Sequence, residues 1–110
     1  MMVVSDTTAI SGLFKTGHFP LLQHFSRQIL LPTAVWLELE RLEQKGYDLE
    51  VLRSASWITT EAVQNIQLVA QLRHELDAGE SEAIVLAIEK HADFLLIDEK
   101  DGRAKATQLG

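Results

Sequence analysis

Four acidic side chains occupy positions where a parallel α/β sheet would bring carboxylates together. Asp6 comes just after the first predicted strand, and Asp98 stands at the end of the fourth. Glu38 and Glu80 lie in early turns of two predicted helices. Gathered without matching Lys or Arg, these carboxylates would repel one another, and a hard divalent cation such as Mg²⁺ or Mn²⁺ would relieve the repulsion. Such an ion generates hydroxide and stabilises an in-line displacement at phosphorus, so the set predicts phosphodiester hydrolysis.

Glu80 is the most informative of the four because of its place on its helix. At about 100° per residue it falls near the centre of the apolar face, whereas Glu82 points nearly opposite. The residues that define this face are Ala83, Ile84, Ala87 and Ile88. Burying an unpaired carboxylate is costly, so its presence there needs a reason. A capping contact in the first helical turn is the competing interpretation, since free N–H groups there favour an anion.

Length arithmetic connects Glu80 with Asp98. The predicted helix over residues 80–91 is roughly 18 Å long. The strand that follows it, up to Asp98, is roughly 17–20 Å long. A helix packed antiparallel to that strand would return Asp98 to the level of Glu80, so we expect the two carboxylates to face each other.

Each of the other three acids also has an ordinary structural interpretation. Asp6 is a good N-cap for the helix after it. Ser5, Thr7 and Thr8 are expected to cap a helix as well, and the alternative for Thr7 is contact with a water of the acidic site. Asp98 precedes a turn-like segment. Glu38 borders the core stripe of its helix, which also suits a solvated flank residue. The residues alone leave these alternatives open.

Short apolar segments alternate with amphipathic segments along the chain, which predicts an α/β fold with three layers. We expect a parallel sheet of about four strands flanked by helices, with the functional crevice outside the carboxyl ends of the strands. The predicted strands cover residues 2–4, 29–31, 57–60 and 93–97. The predicted helices cover residues 9–16, 20–27, 33–45, 48–54, 62–76, 80–91 and 101–109.

Composition places the chain among ordinary globular domains. With 110 residues, 46% hydrophobic and 24% charged, it fits one domain over residues 1–110. Cysteine is absent, which excludes thiolate sites and fits a cytoplasmic protein. No apolar run approaches the roughly 20 residues of a membrane span, so no membrane partner is expected. The formal charge of −6 argues against binding RNA through the overall field, so metal ions, a local basic patch or a partner would have to bring it in.

The acids and their flanking residues resemble the PIN domain family, close to the bacterial and archaeal branch of toxins in toxin–antitoxin pairs. Each segment alone is weakly specific, but the four occur in the family's order and the resemblance covers essentially the whole chain. The segments that carry it are Val3-Val4-Ser5-Asp6-Thr7-Thr8, Leu31-Pro32-Thr33-Ala34-Val35-Trp36-Leu37-Glu38-Leu39, Gly79-Glu80-Ser81-Glu82-Ala83-Ile84 and Leu95-Leu96-Ile97-Asp98-Glu99, then Gly102-Arg103.

The resemblance implies a Mg²⁺- or Mn²⁺-dependent ribonuclease. It carries the catalytic, metal-binding role onto Asp6, Glu38, Glu80 and Asp98. It also implies an RNA substrate, an antitoxin protein as partner, and pairing into a homodimer. Family domains usually continue beyond the position of Gly110, so the chain is expected to lack their last strand and helix.

Two other functions compete with the nuclease. The first is a shortened, inactive PIN-like domain that dimerises or holds a partner protein. The second is a phosphate-accepting receiver domain, which needs an aspartate at the end of a central strand. The third predicted strand ends in Thr60 instead, which disfavours the receiver domain. The four histidines lack metal-ligand spacing and are expected at the surface or in satisfied structural roles. Asp101 and Arg103 are set aside as a turn residue and a weak phosphate contact.

Overall fold

The computed structural model describes residues 2–25 and 28–97. Within them, four parallel strands form one sheet in the order β3-β2-β1-β4. The strands are β1 (Met2–Ser5), β2 (Gln28–Pro32), β3 (Ile58–Glu61) and β4 (Phe94–Leu96). This arrangement confirms the expected parallel α/β sheet.

Six helices flank the sheet in the described part of the chain, as the alternating sequence pattern predicts. They are α1 (Thr7–Lys15), α2 (Phe19–Phe25), α3 (Thr33–Gln44), α4 (Glu50–Ser54), α5 (Ile66–Leu72) and α6 (Ala78–Lys90). The helix predicted over residues 101–109 lies outside the described residues. No helix among those described combines the length and the apolar character needed to cross a membrane.

Strand β1 lies inside the sheet and pairs on both sides. Val4 is in register with Leu30 of β2 and with Leu95 of β4. Because all three strands run in the same direction, their carboxyl ends reach one edge of the sheet. Asp6 follows β1 directly at that edge.

The apolar strands are explained by cover on both faces. Val3, Ile29 and Leu31 enter one buried cluster with residues of α1, α3 and α4. Val4 and Leu30 point the other way and pack against α6. Strands buried on both faces carry nearly continuous apolar residues, which is why they are recognisable in the sequence.

Helix α5 is shorter than the predicted 62–76 at both ends, since it spans Ile66–Leu72. Side-chain contacts precede its first residue. The carboxylate of Glu89 accepts hydrogen bonds from the backbone N–H groups of Gln64 and Asn65. Asn65 is the N-cap, and its side chain accepts from the N–H of Leu68 at 3.1 Å. The helix therefore begins at Ile66.

The apolar face predicted for α6 is partly wrong. Ile88 is 43% exposed, whereas Val85 and Leu86 are fully buried. Val85 packs in a cluster with Leu72 of α5, and Leu86 packs against β1 and β2. Helix α6 is thus covered on two sides, which broadens its buried surface beyond one stripe.

Two leucines of α3 test this account of the core. Leu39 is fully buried and Leu37 is 49% exposed. We expect Leu39→Ala to lower the free energy of unfolding by about 2–5 kcal/mol, because it leaves a cavity among packed side chains. Leu37→Ala should change it by about 0.5 kcal/mol or less. Urea denaturation of both variants measures the difference, and equal losses would contradict the assigned face of α3.

Candidate functional site

Asp6 is held at the carboxyl edge of the sheet by contacts on both sides. Its backbone N–H donates to the carbonyl of Leu96 at 3.0 Å, which continues the β1–β4 ladder. Its carboxylate oxygen Oδ1 accepts from the N–H of Ala9 at 2.8 Å and so caps α1. The side chain is 1% exposed. Asp6 is therefore both the predicted helix cap and a carboxylate buried at the predicted edge.

Glu38 of α3 bridges to two other helices. Its Oε2 accepts a hydrogen bond from the hydroxyl of Thr7, the first residue of α1. Its Oε1 accepts from the backbone N–H of Gly79, in the first turn of α6, at 3.2 Å. The interpretation of Glu38 as a solvated flank residue is wrong, since its carboxylate is hydrogen-bonded between two helix starts. The capping role expected for Thr7 is wrong too, because Asp6 provides the side-chain cap of α1.

Gly79 permits this close approach. A Cβ atom at this position would lie 3.0 Å from both carboxylate oxygens of Glu38 and 3.0 Å from the hydroxyl oxygen of Thr7. Contacts this short are tighter than nearly all real Cβ contacts. The sequence suggests this glycine only as a separator of two helices, but any side chain here would force the Glu38 carboxylate and the Thr7 hydroxyl to shift by a few tenths of an ångström.

Glu80 forms the capping contact that the sequence offered as the alternative to a metal-binding role. The carboxylate of Asp77 accepts from the N–H of Glu80 at 2.8 Å, and Oε1 of Glu80 accepts from the N–H of Asp77 at 3.4 Å. Together these bonds form a capping box at the start of α6. The Glu80 side chain is 7% exposed.

Glu38 accepts hydrogen bonds from residues that are sequence neighbours of the other two described acids, Asp6 and Glu80. Thr7 is the residue after Asp6, and Gly79 is the residue before Glu80. Asp98 lies outside the described residues, and so do Asp101 and Arg103. The placement of Asp98 opposite Glu80 therefore stays a prediction.

The donor atoms of Asp6, Glu38 and Glu80 suit a hard cation, but these side chains do not form a group that could hold one among the described residues. All three offer carboxylate oxygens, the ligands that Mg²⁺ and Mn²⁺ prefer. Among the described residues, however, no group of three or more His, Asp or Glu side chains could hold a metal ion. His18, His24, His74 and His91 are all exposed.

Three other carboxylates on or near α3 and α6 form ion pairs or accept from a backbone N–H. Glu43 pairs with Arg53, and its hydrogen bond to the guanidinium raises the pKa of Arg53 above its ordinary value. Glu61, at the end of β3, pairs with Lys90. Glu82, which the helical pattern turned away from Glu80, accepts from the N–H of Ala34 at 3.0 Å. Sequence reasoning missed this last contact, because nothing in helical periodicity shows which neighbouring helix a side chain reaches.

The parallel sheet with acids at its carboxyl edge defines a class of α/β domain, and comparison with known families identifies which one. A family model described as a PIN domain matches residues 2–110. The chain therefore belongs to the PIN domain family, whose members are generally nucleases that use divalent metals. Neither a curated protein nor a solved structure matches the chain.

A glycine-to-alanine pair tests the Glu38 contact. We expect Gly79→Ala to lower the free energy of unfolding by about 1 kcal/mol, because the new methyl group displaces the Glu38 carboxylate from its donors. Gly12→Ala in α1 is the matched control, since a Cβ atom there has no neighbour within 4 Å. It should raise the free energy of unfolding by about 0.5–1 kcal/mol through helix propensity alone. Urea denaturation gives both values, and equal stabilisation by the two variants would refute the close approach.

Proposed function

We propose that this PIN domain is an endoribonuclease that depends on Mg²⁺ or Mn²⁺, with Asp6, Glu38, Glu80 and Asp98 as its metal-binding acids. Membership of a nuclease family supports the reaction class. The observation that carries the assignment of residues is the position of Glu38. Its carboxylate contacts the residue after Asp6 and the residue before Glu80.

In this proposal, oxygen ligands from the chain would hold the cation, and the cation would supply an activated water and stabilise charge at the scissile phosphate. The chain itself orients the acids. Asp6 is fixed by the N–H of Ala9, Glu80 by that of Asp77, and Glu38 by Thr7 and Gly79. A carboxylate has about four lone-pair directions, so accepting a capping hydrogen bond is compatible with binding a cation.

The acidic composition makes a bound cation useful for attracting the substrate as well. With 16 Asp and Glu against 10 Lys and Arg, the chain repels a polyanion overall. A divalent cation at the carboxyl edge would offset part of the negative charge of the acids and give the phosphate a positive centre to contact. The proposal extends to a toxin function restrained by an antitoxin and to a homodimer, on the resemblance to the toxin branch of the family.

The test is cleavage of a mixed RNA pool by the folded protein, with Mn²⁺, with EDTA, and with the variant Asp98→Asn. We expect cleavage with Mn²⁺, none with EDTA, and a loss on the order of a hundredfold or more in Asp98→Asn, because removing a charged ligand weakens metal-assisted stabilisation of the transition state. Asp6→Asn should lose activity in the same way.

Asp93→Asn is the matched control for this experiment. Asp93 precedes β4 at the amino end of the strand, where its carboxylate accepts from the N–H of Met2 at 2.8 Å. An asparagine keeps an acceptor oxygen there, so activity should stay at the wild-type level. If folded wild-type protein binds Mn²⁺ in a calorimetric titration yet cuts no RNA, the ribonuclease proposal is wrong, and an inactive partner-binding domain takes its place.

A further inference from the structure

Helix α3 begins without a cap of its own. Its N-cap residue is Pro32, which makes no side-chain hydrogen bond to the helix. The first N–H groups of any helix lack partners within the helix and need acceptors from elsewhere. Here the carboxylate of Glu82, on α6, accepts from the N–H of Ala34 at 3.0 Å.

The contact is reciprocal. Glu82 of α6 binds the first turn of α3, and Glu38 of α3 binds the first turn of α6 through the N–H of Gly79. Each helix therefore gives a carboxylate to the positive end of the other, which is the favourable orientation for an anion at a helix start. The two bonds together restrain how α3 and α6 can slide or rotate against each other.

We propose that Glu82 is a positioning residue for Glu38: by holding the first turn of α3 against α6, it keeps the Glu38 carboxylate at Thr7 and Gly79. The inference rests on the proposed function insofar as Glu38 is a metal ligand. Glu38 lies four residues after Ala34, so it is one helical turn from the bond that Glu82 makes. Losing that bond frees the start of α3 and moves Glu38 with it.

The same helix offers a matched control. Glu89 of α6 also accepts hydrogen bonds from backbone N–H groups, but those belong to Gln64 and Asn65 before α5. Glu89→Ala therefore removes a carboxylate with the same kind of contact and leaves the α3–α6 pair untouched. Any effect common to Glu82→Ala and Glu89→Ala reports general loss of a backbone contact.

The experiment combines amide hydrogen exchange with Mn²⁺ titration. We expect Glu82→Ala to speed exchange about tenfold at Ala34 and also at Gly79, whose N–H reports on Glu38, and to weaken Mn²⁺ binding by about 10–100-fold, the range seen when a ligand loses its supporting contact. Glu82→Gln should restore both, since an amide oxygen still accepts. Glu89→Ala should speed exchange at Gln64 and Asn65 only, with Mn²⁺ affinity unchanged.

RNA cleavage separates positioning from a purely structural role. Glu82→Ala should lower kcat and raise the Mn²⁺ concentration needed for half-maximal activity, with KM for RNA changed about twofold or less, because Glu82 is proposed to act through a metal ligand. If Glu82→Ala does not fold, Glu82→Asp takes its place: it keeps the charge, shortens the side chain by one methylene, and should shift Gly79 exchange in the same direction.

Two results would separately overturn the positioning role of Glu82 and the proposed nuclease function. Faster exchange at Ala34 with wild-type exchange at Gly79 would show that Glu82 caps α3 without positioning Glu38. A wild-type protein that neither binds Mn²⁺ nor cuts RNA would end the proposed function, while exchange at Gly79 would still decide whether Glu82 holds Glu38 in place.

Discussion

The carboxyl edge of the sheet depends on the two hydrogen bonds that the Glu38 carboxylate accepts. Three helices, α1, α3 and α6, begin beside the carboxyl ends of the strands, and each start carries N–H groups that need acceptors. Glu38 satisfies one of them at Gly79 and also accepts from the hydroxyl of Thr7. A side chain without an acceptor oxygen at this position would leave those donors to water, so the carboxylate serves the fold whatever else it does.

Capping and metal binding are compatible functions for the same acids. Asp6 and Glu80 both cap helices, as the structural interpretation of the sequence predicted, and both are buried at the edge where the chemistry of the family is expected. A helix start attracts negative charge and fixes its direction, which is also what a metal site requires of its ligands. The structural interpretation therefore does not exclude the functional one, and only metal binding and activity distinguish them.

The number of strands and their positions along the chain could be predicted because burial on both faces leaves a direct trace in composition. Val3, Val4, Ile29 and Leu30 are apolar without alternation, and they pack into clusters on opposite faces of the sheet. Boundaries set by long-range contacts were predicted less well. Asn65 caps helix α5 and is a local signal for its start at Ile66, but nothing local shows that a carboxylate from α6 takes the preceding N–H groups.

The sequence by itself determined the fold class, the parallel sheet and the residue types at its carboxyl edge, because these follow from local hydrophobic patterns and from the direction of parallel strands. Only the tertiary structure decided which neighbouring helix the carboxylates of Glu38 and Glu82 contact. Nothing in the sequence around Glu38 or Glu82 is unusual, yet each carboxylate accepts a hydrogen bond from the first turn of the other's helix. The physical reason is that a hydrogen bond depends on the relative placement of two helices about 40 residues apart along the chain, which periodicity along either helix does not contain.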